Sequence, residues 1–207
     1  MRTRIKFCGF CNRENALQAA QLGVDAIGLN FHPASPRYVT LNQARDIALA
    51  LPPFITIVAL FLNPSVAMVS EVLKAVNIDA LQFHGSEPAD FCQQFAKPYL
   101  KAVSMQQDQD LNEVAERHEG AQALLLDSHQ EDGIGGTGVP FDWHAFQAST
   151  SMPLILAGGL NAGNVARGIE LIKPYAVDVS SGIESSPGIK SLSLMQEFVN
   201  EVKRVDV

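Results

Sequence analysis

Two cysteines lie close together near the start of the chain, in the stretch IKFCGFCNREN (5–15). Cys8 and Cys11 form a C-x-x-C pair, which is compatible with a redox pair, with half of a zinc site, or with one working thiol beside a bystander. A structural zinc ion needs about four ligands, and the sequence contains neither a second C-x-x-C nor an H-E-x-x-H motif. No metal site is therefore predicted.

A carboxyl group that could work with a thiol is Asp127, near the end of the apolar run QALLLDS (122–128). A cysteine and an aspartate at one site can act as general base and general acid. Their ordinary pKa values, about 8.5 and about 3.9, suit neither role at neutral pH. We expect Lys6 to favour the thiolate of Cys8 and burial to favour a protonated Asp127. The alternative for Cys8 is the role of a small buried hydrophobic residue, and the alternative for Asp127 is a helix N-cap or a loop hydrogen bond.

Two glycine-rich stretches in the last third of the chain predict a phosphate site. They are LAGGLNAGNV (156–165) and SSGIESSPGIK (180–190). Backbone N–H groups of such turns, with a helix N-terminus behind them, can hold a phosphate group. The alternative is that glycine only permits tight turns. Two such loops after consecutive strands favour a small phosphorylated substrate.

Two further polar side chains are candidates for substrate contacts. Arg37, in the stretch ASPRYV (34–39), could grip a carboxylate through two parallel hydrogen bonds, or could be a solvated loop arginine. His84 could titrate or orient a substrate, or could be a structural imidazole. The other histidines have no metal-like spacing.

Short apolar, β-branched runs alternate with longer amphipathic segments along the chain. The predicted strands are 4–8, 25–31, 54–62, 78–84, 99–104, 122–128, 154–158 and 175–181. The predicted helices are 12–22, 41–51, 65–76, 87–95, 108–118, 141–149, 161–171 and 190–203. This alternation predicts an α/β fold with a parallel sheet, and the eight units favour a single (β/α)8 TIM barrel domain over residues 1–207. A doubly wound open sheet is the competing fold.

In a barrel, working residues lie at the carboxyl ends of the strands and in the loops that follow. The candidates by this rule are Cys8, the loop HPASPR, Asn63, His84, Asp127, the loop GGTG (135–138), AGG (157–159) and SSG (180–182). Because side chains alternate with period two, Cys8 and Lys6 share the inner face of their strand, while Phe7 faces the helices. By the same rule Asp178 and Ser180 share a face.

Aspartates also lie near the starts of two strands, at Asp25 and Asp79. At that end of a barrel we expect them to make loop hydrogen bonds that serve stability.

Composition narrows the class of protein. The 207 residues are 47% hydrophobic and 18% charged, as in ordinary globular proteins. The net charge of −7 argues against a nucleic-acid-binding protein, which needs clustered cations. Three cysteines, an odd number, do not make a disulfide framework and favour a reduced, cytoplasmic protein. No signal peptide or membrane span is predicted. Whether the protein is a monomer or a homodimer stays open.

Eight stretches together resemble one family, in order and over nearly the whole chain. They are KFCGF, DAIGLNFHPASPRYV, VALFLN, LQFHGSE, LLLDS, GGTGVPFDW, LAGGLNAGNV and VDVSSGIESSPGIK. These stretches are similar to those of the phosphoribosylanthranilate isomerases of tryptophan biosynthesis. The resemblance implies a (β/α)8 barrel that catalyses an Amadori rearrangement of N-(5-phosphoribosyl)anthranilate to 1-(2-carboxyphenylamino)-1-deoxyribulose 5-phosphate. It implies no cofactor and no metal. Asn30 stands where many relatives carry an apolar residue.

The resemblance also implies roles for single residues. Cys8 would be the general base and Asp127 the general acid, and Arg37 would lie near the anthranilate carboxylate. The residues expected to bind substrate are Arg37, His84, Gly158, Gly159, Asp178, Ser181 and Gly182.

Two alternatives remain beside this interpretation. One is another phosphosugar barrel, an imidazole-pathway isomerase or an indole-glycerol-phosphate synthase. The former uses two aspartates and the latter a lysine and a glutamate, so Cys8 speaks against both. The other is a barrel that binds a phosphorylated ligand without turning it over. A thioredoxin-like protein is disfavoured, because its redox motif needs neither eight βα units nor two phosphate loops.

Overall fold

Eight parallel strands close into a barrel, with neighbours in chain order and the first strand paired to both the second and the last. The computed structural model describes residues 2–105, 110–128, 143 and 150–206. The strands are β1 (Arg4–Cys8), β2 (Ala26–Asn30), β3 (Thr56–Phe61), β4 (Ala80–Phe83), β5 (Tyr99–Ser104), β6 (Ala123–Asp127), β7 (Leu154–Leu156) and β8 (Ala176–Val179). The predicted (β/α)8 barrel is confirmed, and the open sheet is excluded.

Seven helices are described. They are α1 (Arg13–Gln21), α2 (Leu41–Ala50), α3 (Val66–Ala75), α4 (Ala89–Gln93), α5 (Leu111–Arg117), α6 (Val165–Ile172) and α7 (Leu192–Val205). The GGTG loop and the predicted helix 141–149, apart from Trp143, lie outside the described residues. None of the helices in the described ranges combines the length and the apolar character needed to cross a membrane.

Polar side chains set where most of these helices begin. The residue before each of α1, α2, α3, α5 and α7 accepts a hydrogen bond from a backbone N–H of the first turn. The predicted helix at 161 begins later, at Val165. Asn161 accepts the N–H of Gly163 at 2.9 Å, and Asn164 accepts the N–H of Asn161 at 2.9 Å. These local bonds hold residues 161–164 in a turn.

The strands divide the apolar residues into two layers. Outward-facing residues pack against the helices, as where Phe7 of β1 meets Phe198 of α7 with ring centroids 5.8 Å apart. Inward-facing residues of β5 to β8 form a separate small cluster around Leu125. Leu124 and Leu126 pack instead with residues of α5. The predicted alternation of strand faces is therefore confirmed.

The amino-terminal end of the barrel is held by two strand-start aspartates. Asp25 accepts the backbone N–H of Ile5 at 2.8 Å, and Asp79 accepts that of Ile57 at 2.8 Å. Each bond ties the start of one strand to its neighbour. These contacts confirm the interpretation of Asp25 and Asp79 as residues that serve stability.

A small antiparallel hairpin follows β8. After a 3-10 turn at Ser181–Ile183, the strands β9 (Glu184–Ser186) and β10 (Ile189–Lys190) pair with each other. Gly188 adopts a φ of +83° in the turn between them. The sequence did not predict this hairpin, because its strands are too short for a period-two pattern. It carries two charged residues into the carboxyl end of the barrel.

Candidate active site

The carboxyl ends of all eight strands lie at one end of the barrel, as parallel closure requires. Cys8 ends β1 and Asp127 ends β6, and both side chains are buried. The strands β7 and β8 lie between them on one side of the barrel. The two residues singled out for acid–base chemistry therefore stand at the same end of the barrel.

Cys8 lies in a tightly packed corner between β1 and β2. A Cβ atom added at Gly28 would be 2.5 Å from Cys8 Sγ, so the neighbouring strand needs glycine at that point. One layer deeper, Lys6 Nζ lies 2.9 Å from Asp178 Oδ2, and both side chains are buried. The other carboxylate oxygen of Asp178 is buried without a hydrogen-bond partner in the described residues. Asp178 is thus tied to Lys6 and keeps one free acceptor.

Opposing effects act on the pKa of Cys8. Burial raises the pKa of the Cys8 thiol and outweighs the nearby cations Lys6 and Lys190, which act to lower it. Asp178 acts in the same direction as burial. Lys6 thus favours the thiolate as expected, but it does not bring the pKa below its ordinary value. The pKa of the Cys8 thiol in the ligand-free protein therefore stays above its ordinary value.

Asp127 is held in a short chain of polar side chains. His84 Nε2 lies 3.1 Å from Asp127 Oδ2, and His84 Nδ1 lies 3.2 Å from Gln82 Nε2. The imidazole thus bridges Gln82 and Asp127, with one ring nitrogen within hydrogen-bonding distance of each. His84 therefore orients the carboxyl group of Asp127 directly.

The loop after β7 passes directly against the same carboxyl group. Gly158 has a φ of +77°, and a Cβ atom there would lie 2.9 Å from Asp127 Oδ1 and 2.3 Å from the backbone nitrogen of Ser128. Any side chain at this position would push the loop away from Asp127. Gly158 thus fits the site as a point of close backbone approach.

The loops after β7 and β8 touch through their backbones. A Cβ atom at Gly182 would lie 1.9 Å from the carbonyl oxygen of Leu160. Within the described residues, no hydrogen bond uses the backbone N–H of Gly158, Gly159, Ser181 or Gly182. N–H groups from two adjoining loops that have no hydrogen-bond partner among the described residues, with α6 beginning behind one loop, form a site suited to an anion.

Arg37 reaches the same end of the barrel from the loop after β2. Asn30 donates a hydrogen bond to Ser35 Oγ at 3.0 Å, and that oxygen accepts the backbone N–H of Arg37 at 3.1 Å. The arginine stem lies over Gly9, where a Cβ atom would be 2.5 Å from Arg37 Cδ. Asn30 therefore helps to hold the loop that carries Arg37.

The guanidinium of Arg37 has a protein partner that sequence reasoning missed. Arg37 Nε and Nη2 donate to the two carboxylate oxygens of Glu184 at 2.8 and 2.7 Å. Lys190 Nζ also donates to Glu184, at 2.7 Å. Glu184 and Lys190 are the only charged residues in the stretch SSGIESSPGIK, and that contrast was the available signal.

A second buried ion pair shapes the loop after β4. Lys101 Nζ lies 3.0 Å from Glu87 Oε2, and Glu87 accepts the backbone N–H groups of Asn63 and Gly85. A cavity of about 480 Å³ opens beside this pair and is lined also by His84 and Asp127. Cys8 is not among its lining residues. Among the described residues, no group of three or more His, Cys, Asp or Glu side chains could hold a metal ion.

Comparison with known proteins assigns this architecture to a family. The family model described as N-(5'phosphoribosyl)anthranilate (PRA) isomerase matches residues 5–201. The chain belongs to the PRA isomerase family. It is accordingly an isomerase of tryptophan biosynthesis built on a TIM barrel.

Individual PRA isomerases agree with the assignment. The N-(5'-phosphoribosyl)anthranilate isomerase of Hahella chejuensis is 48% identical over 203 residues, which cover 98% of this chain and 95% of that protein. The phosphoribosyl anthranilate isomerase of Thermotoga maritima superposes with a TM-score of 0.86 at 34% identity, covering 98% of this chain and 99% of that one.

A solved complex is also similar to this chain. It holds a phosphoribosyl anthranilate isomerase with reduced 1-(o-carboxyphenylamino)-1-deoxyribulose 5-phosphate, and it superposes with a TM-score of 0.83 at 34% identity. The match covers 98% of this chain and 99% of that one. The ligand in that complex carries a phosphate, a sugar-derived chain and an aromatic carboxylate.

Proposed function

We propose that this protein catalyses the Amadori rearrangement of N-(5-phosphoribosyl)anthranilate to 1-(2-carboxyphenylamino)-1-deoxyribulose 5-phosphate, with Asp127 as general acid and Cys8 as general base. The observation that carries the proposal is the placement of both residues, buried, at the same end of one closed barrel. The ligand in the similar solved complex is a reduced form of the product named here.

The binding roles follow from the three chemical groups of such a ligand. The unpaired N–H groups of Gly158, Gly159, Ser181 and Gly182 would take the phosphate. Arg37 would take the aromatic carboxylate through the guanidinium edge that Glu184 leaves free. Asp178, with its unpartnered carboxylate oxygen, is suited to accept a hydrogen bond from a sugar hydroxyl.

The first step opens the sugar ring. Asp127 donates its proton to the furanose ring oxygen, and the bond between that oxygen and C1′ breaks. The lone pair of the anilino nitrogen forms the C1′=N bond of a Schiff-base cation. His84, bound to Asp127, keeps the acid directed at the ring oxygen.

The second step moves a proton from carbon. The thiolate of Cys8 removes the proton from C2′, and the electrons of that C–H bond form the C1′=C2′ double bond while the nitrogen recovers its lone pair. The resulting enol-amine tautomerises to the ketone, so the overall reaction is an isomerisation. The thiolate is the working form, and Lys6 and Lys190 are the cations that favour it.

The free cysteines Cys8, Cys11 and Cys92 suit the reducing environment of the cytoplasm, which we propose as the place of action. The partner proposed for the site is a small phosphorylated molecule. A monomer and a homodimer are both compatible with that role.

The test is a fluorescence assay of turnover. Substrate is generated in situ from anthranilate and phosphoribosyl pyrophosphate by a transferase, and its emission should fall when the protein is added. Cys8→Ser and Asp127→Asn should each slow this loss by about 10²–10⁴-fold, the usual contribution of a positioned acid or base. Cys11→Ser, which changes the neighbouring cysteine, should leave the rate within about twofold of the wild type.

Two results would contradict the proposal. Unchanged emission with the wild-type protein would remove the activity itself. Full activity in Cys8→Ser or Asp127→Asn would leave the activity standing but would remove the assigned acid or base.

A further inference from the structure

Three charged side chains form a buried group at the rim of the site, which we call the Arg37–Glu184–Lys190 cluster. Glu184 accepts two hydrogen bonds from Arg37, at 2.8 and 2.7 Å, and one from Lys190 at 2.7 Å. The side chains of Arg37, Glu184 and Lys190 are 12%, 5% and 0% exposed. Water therefore screens these charges only weakly.

The geometry leaves one edge of the guanidinium available. Glu184 occupies the edge formed by Nε and Nη2. A guanidinium has five N–H donors, so the edge formed by Nη1 and Nη2 can still donate hydrogen bonds to a second carboxylate. Because two parallel bonds fix the plane of the group, Glu184 also fixes the direction in which that free edge points.

The charge balance favours an incoming anion. Burial lowers the pKa of Lys190, and the charge of Glu184 acts against that effect. With both Arg37 and Lys190 protonated, the cluster holds two positive charges against the one negative charge of Glu184. Burial opposes ionisation of Glu184, but the hydrogen bond from Arg37 and the charge of Lys190 outweigh it and hold the pKa of Glu184 below its ordinary value. The cluster therefore has one positive charge that a substrate carboxylate would neutralise.

The cluster is anchored to the parts of the barrel that carry the chemistry. Lys190 Nζ donates to the carbonyl oxygen of Ser180 at 3.0 Å and lies 5.7 Å from the ring centre of Phe10. Ser180 Oγ donates to the carbonyl oxygen of Cys8 at 3.0 Å. The position of Arg37 is thus set relative to the end of β1 and to the loop after β8.

We propose that Glu184 and Lys190 are positioning residues, which hold the free edge of Arg37 toward the aromatic ring and so make the enzyme select an ortho-carboxylated aryl amine over one without a carboxylate. This inference rests on the proposed function, because it assumes that Arg37 meets the substrate carboxylate. In this proposal Glu184 orients Arg37 toward the substrate carboxylate and does not contact that carboxylate itself.

The test compares two ligands that differ in one group. The first is the reduced carboxyphenylamino deoxyribulose 5-phosphate, and the second is the same compound with phenyl in place of carboxyphenyl. We expect Glu184→Gln to weaken binding of the first by about 10–100-fold, the range for a hydrogen bond to a charged group, and to leave the second within about twofold. In steady-state turnover of N-(5-phosphoribosyl)anthranilate by Glu184→Gln, KM should rise by a larger factor than kcat falls.

Two further variants make the test specific. Glu201→Gln removes the carboxylate of a surface ion pair with Arg204 on α7. It should leave the affinities for both ligands unchanged. Lys190→Met removes the cation that offsets Glu184 and brings the cluster to zero net charge, so it should also weaken the carboxylated ligand selectively. Circular dichroism and thermal unfolding of each variant report folding separately from binding.

Each remaining outcome decides against the inference. Equal weakening of both ligands in Glu184→Gln and Lys190→Met would mean a general structural role. Tighter binding of the carboxylated ligand in Glu184→Gln would mean that Glu184 competes for Arg37. A wild-type protein without isomerase activity would instead remove the proposed function, so the two failures can be told apart.

Discussion

At the scale of single residues, the charge around Cys8 is balanced between opposing groups. Burial and Asp178 raise the pKa of the thiol, while Lys6 and Lys190 lower it. Lys6 and Asp178 also neutralise each other across 2.9 Å. A cation beside a cysteine is therefore not enough to predict a thiolate, since the cost of burying the charged form is larger here.

This balance predicts opposite changes from two substitutions. The base must be deprotonated to work, so a raised pKa of Cys8 places the rising limb of the pH–rate profile on the alkaline side. Lys6→Met removes a group that lowers the pKa and should move the limb to higher pH. Asp178→Asn removes a group that raises it and should move the limb to lower pH.

The measurement is kcat/KM against pH for both variants and the wild type. Asp178 is also proposed to contact substrate, so its variant should lose overall rate as well, but the midpoint of the limb reports the thiol. Cys11→Ser should have the wild-type midpoint. Shifts of both variants in the same direction would show that the limb belongs to another group.

At the scale of elements, two loops act as one unit. Gly182, in the turn after β8, packs against the carbonyl oxygen of Leu160 in the loop after β7. A side chain at position 182 would separate the two loops, and their N–H groups could then no longer lie side by side. Glycine is required here for close approach of two backbones, and at Gly158 also for a φ of +77°.

Gly182→Ala should therefore separate the loops. Its Cβ atom would be 1.9 Å from a backbone oxygen, and a backbone oxygen cannot move aside as a flexible side chain can. We expect a loss in kcat/KM of up to about 100-fold, since small displacements of binding groups are costly, with KM carrying much of it. Steady-state kinetics with the fluorescent substrate measures both constants.

Gly163→Ala is the matched control in the same region. Its added Cβ atom would lie 3.1 Å from the side-chain oxygen of Asn161, which can move. Equal losses in the two alanine variants would show that close approach at Gly182 is not what the site needs.

At the scale of the whole molecule, the barrel depends on closing its first strand against its last helix. The rings of Phe7 and Phe198 are both fully buried and meet edge to face, with an interplanar angle of 73°. This contact joins parts of the chain that are nearly its whole length apart. It also supports β1, the strand that ends in Cys8.

Phe198→Ala should lower the free energy of unfolding by about 3–5 kcal/mol, the usual cost of truncating a buried phenylalanine. Glu197→Ala, at the exposed neighbouring position of α7, should change it by no more than about 0.5 kcal/mol. Urea unfolding followed by circular dichroism measures both. Similar values for the two variants would place Phe198 outside the cooperative core.

The sequence alone determined the order and type of the elements and the strand ends where chemistry is placed. Apolar runs and their alternation depend on neighbours along the chain, so β1 with Cys8, β6 with Asp127 and the two glycine-rich loops could be predicted from local patterns. The hairpin β9–β10 could not, since strands of two or three residues carry no periodic signal.

Only the tertiary structure determined which charged side chains pair with each other. Arg37 and Glu184 are separated by 147 positions, and Lys6 and Asp178 by 172, so no local pattern pairs them. The raised pKa of Cys8 likewise depends on burial by residues from other strands. Contacts between distant segments arise from barrel closure, and they set the charges and directions of the groups whose positions the sequence had already indicated.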